Sequence, residues 1–412
     1  MKITYGKKLR VFIPFAIGYF LSYLYRTVNA VIAPDLTSEL SLNPAQLGLL
    51  TAAYFITFAA FQLPLGVLLD RFGPRRIESI LLIFAAIGAL LFSRAENLPG
   101  LIVGRALVGL GVSACLMAAF KAFVLWFPSQ QWPRINGLQM ASGGLGALTA
   151  TAPVEFALGI TNWRGIFLVL AITTLAVAAV IYCVVPERKE AQKTSGLKEQ
   201  LQGVLEVFLS SEFWRVAPLT TLSQASFLSI QSLWAGPWLR DVAGMERMAV
   251  AKVLLLIATA MVAGFILLGT AAERLSRRRI SPLLTAAIGM MLFMGVQLLI
   301  VLEIKDWAIP LWICFGFVGT TGIISYAGLC QEFPQHLTGR VTTGLNLLVF
   351  ILAFFAQWAI GAIINLFPVS ADGRYATAGY KTGFGMMFAL QVLSFLWFLG
   401  ASIMRRRKLV EF

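Results

Sequence analysis

The chain has 412 residues, of which 58% are hydrophobic and only 13% charged, with a mean hydropathy of +0.81. Soluble domains carry about a quarter of their residues as charges, so this composition excludes a water-soluble enzyme or binding module and places the chain in lipid. The net charge of +14 does not signal nucleic acid, because the Lys and Arg form short clusters between apolar runs, with no basic domain or aromatic-studded strand.

A bilayer core takes roughly 20 apolar residues per helix. Runs of that kind fall at 11–33, 46–68, 77–94, 99–126, 134–158, 164–185, 213–238, 249–271, 280–302, 308–330, 340–366 and 382–404. An all-α integral membrane protein with twelve transmembrane helices is therefore expected. Lys2, Lys7, Lys8 and Arg10 precede a first run too long for a signal-peptide core, which predicts a retained first span. The long polar insertion at 186–212 ends in an amphipathic piece (Leu201, Val204, Leu205, Phe208) and lies between spans six and seven. It predicts a linker joining an N-terminal six-helix bundle, 1–185, to a C-terminal one, 213–412.

If the side bearing the N-terminus is called inside, the inside segments hold 22 Lys and Arg and the outside loops 7. That bias predicts cytoplasmic termini and a multi-pass protein of the cell (inner) membrane. A repeat accompanies it. Gly66-Val-Leu-Leu-Asp70-Arg71 and Gly269-Thr-Ala-Ala-Glu273-Arg274 lie 203 residues apart, and both continue into further arginines. Phe127-Pro128 with Arg134 and Phe333-Pro334 with Arg340 form a second pair, offset by 206. Two six-helix bundles repeated in parallel imply a pseudo-twofold axis along the membrane normal and a binding site at the midplane between them.

Four cysteines (Cys115, Cys183, Cys314, Cys330) sit in apolar runs, and the single histidine, His336, in a loop. Neither has metal spacing, so no metal and no cofactor is expected. No nucleophile–base pair or paired carboxylates at one depth suggest intramembrane catalysis.

These motifs resemble those of the major facilitator superfamily. The Gly66–Arg76 stretch is similar to that superfamily's loop between helices two and three. Arg105-Ala-Leu-Val-Gly109-Leu-Gly111 is similar to its helix-four motif, and Asn162-Trp163-Arg164-Gly-Ile-Phe167 to the Trp-Arg-x-x-Phe that opens helix six. In helix one, Ser22-Tyr23-Leu24-Tyr25-Arg26 resembles the anion:cation symporter branch, where arginine closes an Asn-Tyr-x-Asp run; Ser22 and Tyr25 replace its asparagine and aspartate. The resemblance implies a secondary active transporter that rocks its halves, with a small-molecule, anionic substrate and a proton or other coupling ion. A monomer surrounded by membrane lipid is expected, with no nucleic-acid partner. In that pattern Asp70 and Glu273 gate the inner face, each meeting a helix start in the other half where the dipole favours negative charge; Arg71 and Arg274 accompany them, and Arg134 and Arg340 open the facing helices.

The residues of the spans sharpen this. A cation inside a membrane helix costs roughly 2.5–3.5 kcal/mol on insertion scales and normally faces a cavity or a partner. Arg26 and Arg105 fall at similar depth, roughly 21–22 Å above the inner surface at 1.5 Å per residue. Ser22, Arg26 and Asn29 make a stripe with Tyr25 beside it. Two guanidiniums in a low-dielectric site suit a carboxylate, which each can grip with two hydrogen bonds. The alternative is structural: Arg105 braces the packing and Arg26 pairs with Glu155 or a carbonyl. Glu155 reads as the only acid well inside the first six spans and is the candidate proton carrier; Lys121 reads as an interface lysine. In the second half Gln224, Gln231, Trp234, Asn346 and Gln357 supply amides and an aromatic wall without a cation. Competing readings are an exporter of amphipathic compounds and a transporter-like sensor or assembly protein. Span five lacks the Gly-Pro pair of drug antiporters, carrying Gly143-Gly144-Leu-Gly146 and a later Pro153.

Overall fold

The computed structural model describes residues 5–127, 132–187, 202, 205–334, 337–369 and 373–410. Among these the backbone is nearly all helix, with one isolated bridge between Val369 and Tyr375. Nine helices are long and apolar enough to cross a membrane among the described residues, and a bent pair at the N-terminus makes a tenth. The remaining two expected spans, 134–158 and 213–238, are also helical but interrupted.

The chain divides into two compact units, Met1–Glu199 and Gln200–Phe412. The first contains α1 (Tyr5–Thr27), α2 (Asn29–Leu40), α3 (Pro44–Phe72), α4 (Pro74–Arg94), α5 (Leu98–Val112), α6 (Cys115–Trp126), α7 (Trp132–Thr149), α8 (Ala152–Leu158) and α9 (Trp163–Val184). The second contains α10 (Ser211–Ser229), a π turn (Ile230–Trp234), α11 (Ala235–Asp241), α12 (Arg247–Arg277), α13 (Pro282–Val301), α14 (Ala308–Val318), a 3₁₀ turn (Gly319–Ile323), α15 (Ile324–Cys330), α16 (Thr338–Ile364) and α17 (Thr377–Val410). The dividing point falls inside the expected linker. Leu201 and Val204 of its amphipathic piece lie outside the described residues, whereas Val207 is buried in the core of the second unit and Phe208 packs against it.

Helix ends follow local chemistry. Asn43 and Gln46 form a reciprocal capping box at the start of α3, ahead of Pro44 at its first position. Between α3 and α4 Gly73 sits at φ +80°, a conformation that costs a side-chain-bearing residue about 1–2 kcal/mol, and its N–H closes the helix onto Leu69 O at 3.0 Å. This gives the Asp70-Arg71-Phe72-Gly73 motif a local cause: the glycine makes the turn.

The glycines of the helix-four motif act through close approach. A Cβ on Gly109 would stand 2.2 Å from Tyr54 O of α3, and one on Gly111 2.3 Å from Ala85 N of α4. Both neighbours are backbone, so neither can swing aside. Gly146 of α7 is likewise pressed on Phe20 O of α1, at 2.1 Å from its notional Cβ. Gly109→Ala is expected to force α3 and α5 apart at a cost of about 1–3 kcal/mol. A thermal midpoint equal to wild type in detergent would contradict that.

Interruptions depart from the continuous runs expected. The run 11–33 predicts one span; it breaks after Thr27, and α2 leaves at 44°. Span five breaks before Pro153, which opens α8 where a missing N–H costs nothing. In span seven Pro237 lacks the N–H that would bond Leu233 O, and the π turn just upstream absorbs the misfit.

Candidate functional site

The break in span one is built by a distant residue. In a continuous helix Tyr25 O would receive the amide of residue 29. Here it accepts the Nη1 of Arg105 at 2.8 Å, from α5. Arg105 is 1% exposed and its Nε has no hydrogen-bond partner. The guanidinium therefore caps the carbonyl end of α1, where the helix dipole favours positive charge. Of the two readings of Arg105, the geometry supports the brace.

Arg26 ends α1 one residue further on and is 7% exposed. Its Cζ lies 4.6 Å from the Tyr23 ring centroid, 5.5 Å from that of Phe58 and 6.0 Å from that of Tyr54. Aromatic faces are negative, so this cage stabilises a cation in an apolar interior. Tyr54 is itself oriented by donating to Ser22 O at 3.4 Å. The aromatic cage was not foreseen, because Tyr54 and Phe58 come from α3.

The expected stripe is split. Tyr25 turns to α9, sharing a 2.9 Å hydrogen bond with the Thr174 hydroxyl and tilting against Phe167. Asn29 stands beyond the break, fully buried, with neither its amide oxygen nor its nitrogen partnered. An unsatisfied buried amide costs about 1–3 kcal/mol, so Asn29 is a strong candidate for a ligand contact. Glu155 is buried in the first turn of α8. It is not the only buried acid of the unit, which corrects the sequence reading: Glu78 of α4 is 0% exposed. The helix starts at Pro74 rather than at 77, which carries Glu78 inward.

In the second unit Gln231 lies on the π turn, a helix defect frequent at functional sites. Trp234 follows it, fully buried, and donates to Gln357 O at 3.2 Å. The side-chain amide of Gln357 is buried with neither atom partnered. Asn346 accepts from the Tyr326 hydroxyl at 3.5 Å, and Gln224 donates to Gly319 O of the 3₁₀ turn at 3.2 Å. Sequence reasoning missed a buried chain in this unit: Ser226 and Gln391 both donate to Gln297 Oε1, at 3.1 and 2.7 Å, and Gln297 donates to Phe384 O at 3.1 Å. Three glutamine and serine positions on three spans gave no local signal.

Of the residues expected to gate, the side chains of Asp70 and Arg134 lie outside the described residues, as does His336. Arg71 is exposed with its Cζ 5.2 Å from the Phe72 ring; Glu273 and Arg274 are exposed, and Arg340 and Lys121 half-buried.

The ends of the units are tied by carboxylates. Glu39 accepts from Trp163 Nε1 at 2.6 Å and pairs with Arg164, which also donates to Ala95 O at 3.1 Å. Asp241 pairs with Arg240 at 2.5 Å and accepts from the Tyr380 hydroxyl at 2.7 Å. Glu332, in the loop after α15, pairs with Arg405 at 2.6 Å and Arg215 at 3.3 Å. Partial burial pushes the Glu332 carboxyl up, but the hydrogen bonds and charges of the two arginines outweigh it and hold it below the usual carboxylate range. A depressed value means stability that is present above the unfolded value and lost as pH falls through the folded one. Glu332→Gln is expected to lower the thermal midpoint at neutral pH and to match wild type in strong acid; a gap that persists there would contradict this role.

Helices of bilayer length in two units, with buried polar groups at their breaks, define a polytopic membrane protein. Residues 15–357 match the Major Facilitator Superfamily, and the chain belongs to that family. It is a multi-pass secondary transporter and not an enzyme. It is 24% identical to a probable sulfoacetate transporter, SauU, of Cupriavidus necator, over 89% of this chain and 82% of that one. It is 28% identical to the nitrate/nitrite transporter NrtP of Nostoc punctiforme, over 48% of this chain and 40% of that one. In structure it is similar to a bacterial homologue of the human lysosomal transporter Spinster, with a TM-score of 0.78, 18% identity and 97% of each chain covered.

Proposed function

We propose that this transporter moves a small organic anion across the cell (inner) membrane by alternating access, coupled to protons, with both termini cytoplasmic. The observation that carries the reading is Arg26, a buried cation held among aromatic rings where the first span breaks. Intramembrane charges are functional by default, and a guanidinium in an apolar site suits an oxyanion. The names of the two relatives reported above, a sulfonated carboxylate and nitrate, fit the same chemistry. In this reading Asn29 assists Arg26, and Arg105 fixes the backbone that presents both. Gln231, Trp234, Asn346 and Gln357 are the contacts for uncharged parts of the substrate. The loops of Asp70–Arg71 and Glu273–Arg274 serve as gates. The basic bias of 22 to 7 supports the orientation.

A thermal-shift screen of the purified protein against sulfoacetate, nitrate, a neutral sugar and a cationic amphiphile tests this. Stabilisation by sulfoacetate or nitrate that disappears in Arg26→Gln is expected, since a ligand at about 100 times its Kd adds roughly 2.7 kcal/mol. Stabilisation by the amphiphile alone, or an anion effect indifferent to Arg26, would reject it.

A further inference from the structure

Glu78 has no place in the scheme above, yet it is the most anomalous side chain of the first unit. It lies in the second turn of α4, is 0% exposed, and neither carboxyl oxygen has a hydrogen-bond partner. Buried carboxylates in folded proteins are normally paired with a cation or several donors. The two arginines near it on its own helix are engaged elsewhere, and the third, Arg94, ends the helix about four turns away. Arg75 lies with its Cζ 4.9 Å from the Tyr182 ring, and Arg76 pairs with Glu187 at 2.7 Å.

The neighbours from other helices are equally uncharged. On the α1 side the contact is a glycine: a Cβ on Gly18 would stand 2.3 Å from Glu78 Oε1. The carboxyl thus occupies the space that a side chain on α1 would fill. From α9 the residue at the same place is Ile181. From α6 the neighbour is Cys115, a fully buried and neutral thiol. The α5 helix, which also packs on α4, carries one charged side chain, Arg105, and it donates to Tyr25 O; on α3 Arg71 is exposed. The carboxyl is linked to the candidate anion site through α1, which carries Gly18 and Arg26 eight positions apart.

We propose that Glu78 is a proton-binding site of this transporter: it holds a proton when packed against α1 at Gly18, and releases it when that contact opens to water. An apolar, partnerless pocket favours the neutral acid over the carboxylate. Ionisation demands hydration, which the space between α1 and α4 provides only if the helices separate. The site's use in coupling rests on the transport reading above; its existence does not. It also places the proton on a different residue from Glu155.

The test needs no substrate. Infrared spectra of the full-length protein in liposomes are titrated with pH for wild type, Glu78→Gln and Glu155→Gln. The expected result is a carbonyl stretch of a protonated carboxylic acid that fades as pH rises, is missing in Glu78→Gln and survives in Glu155→Gln. A band unchanged by Glu78→Gln, or removed by Glu155→Gln instead, would overturn the proposal. If Glu78→Gln cannot be recovered folded, Gly18→Ala provides the same readout. Its Cβ presses on Oε1, so the band should move in frequency, and an unmoved band counts against the site. Because no anion is present, failure here is distinct from failure of the sulfoacetate and nitrate screen.

Discussion

Arg26→Gln is expected to abolish anion uptake in proteoliposomes while the protein remains inserted and monodisperse. A charge-assisted contact is worth about 1.5–3 kcal/mol, or roughly a 10- to 150-fold loss of affinity. Glutamine keeps a polar tip of similar reach but loses the charge, the planar fork and the attraction to the Tyr23, Tyr54 and Phe58 rings. Arg26→Lys restores the charge without the fork and should recover only part of the activity. Uptake at the wild-type rate in Arg26→Gln would sink the anion-site reading outright.

Arg105→Gln should fail differently. Arg105 donates to Tyr25 O, so its removal leaves a buried carbonyl without its cationic partner at the break of span one. The expected cost is about 1–3 kcal/mol of stability. The substrate's apparent affinity should be changed less than tenfold in whatever protein remains folded. The thermal midpoint and the affinity, measured on the same preparation, separate the roles. A normal midpoint with collapsed affinity would return Arg105 to the substrate site, and a normal midpoint with normal affinity would remove it from both.

The contrast between the two arginines shows what the sequence made legible. The apolar runs located the spans, because bilayer thickness imposes a length that composition alone reveals. The motifs around Gly73, Gly109 and Trp163 identified the family, and each has a local or pairwise cause in the structure: a positive φ, a close backbone approach, a clasp on Glu39. Arg26 and Arg105 were conspicuous as charges within apolar runs, but their separate roles were not. The break in span one depends on a hydrogen bond between residues 80 positions apart, and no proline or glycine stands there to announce it. Glu78 was hidden for a similar reason. Near the edge of an apolar run an acid reads as an interface residue, and its burial arises from a glycine on another helix. The Gln297 chain joins α10, α13 and α17, so its members are ordinary polar residues until the fold brings them together.

The clasp on Glu39 bears on the order in which the protein is made. Its partners, Trp163 and Arg164, lie 124 and 125 positions downstream, at the start of α9. With the N-terminus cytoplasmic, as proposed above, Glu39 would reach the far side of the membrane with the first span and wait there while the intervening spans are delivered. The first unit is thus fastened only when its sixth span arrives. A nascent chain halted before Trp163 should be cut by protease at the α2–α3 turn, and one halted after α9 should resist, whether or not the second unit has been translated.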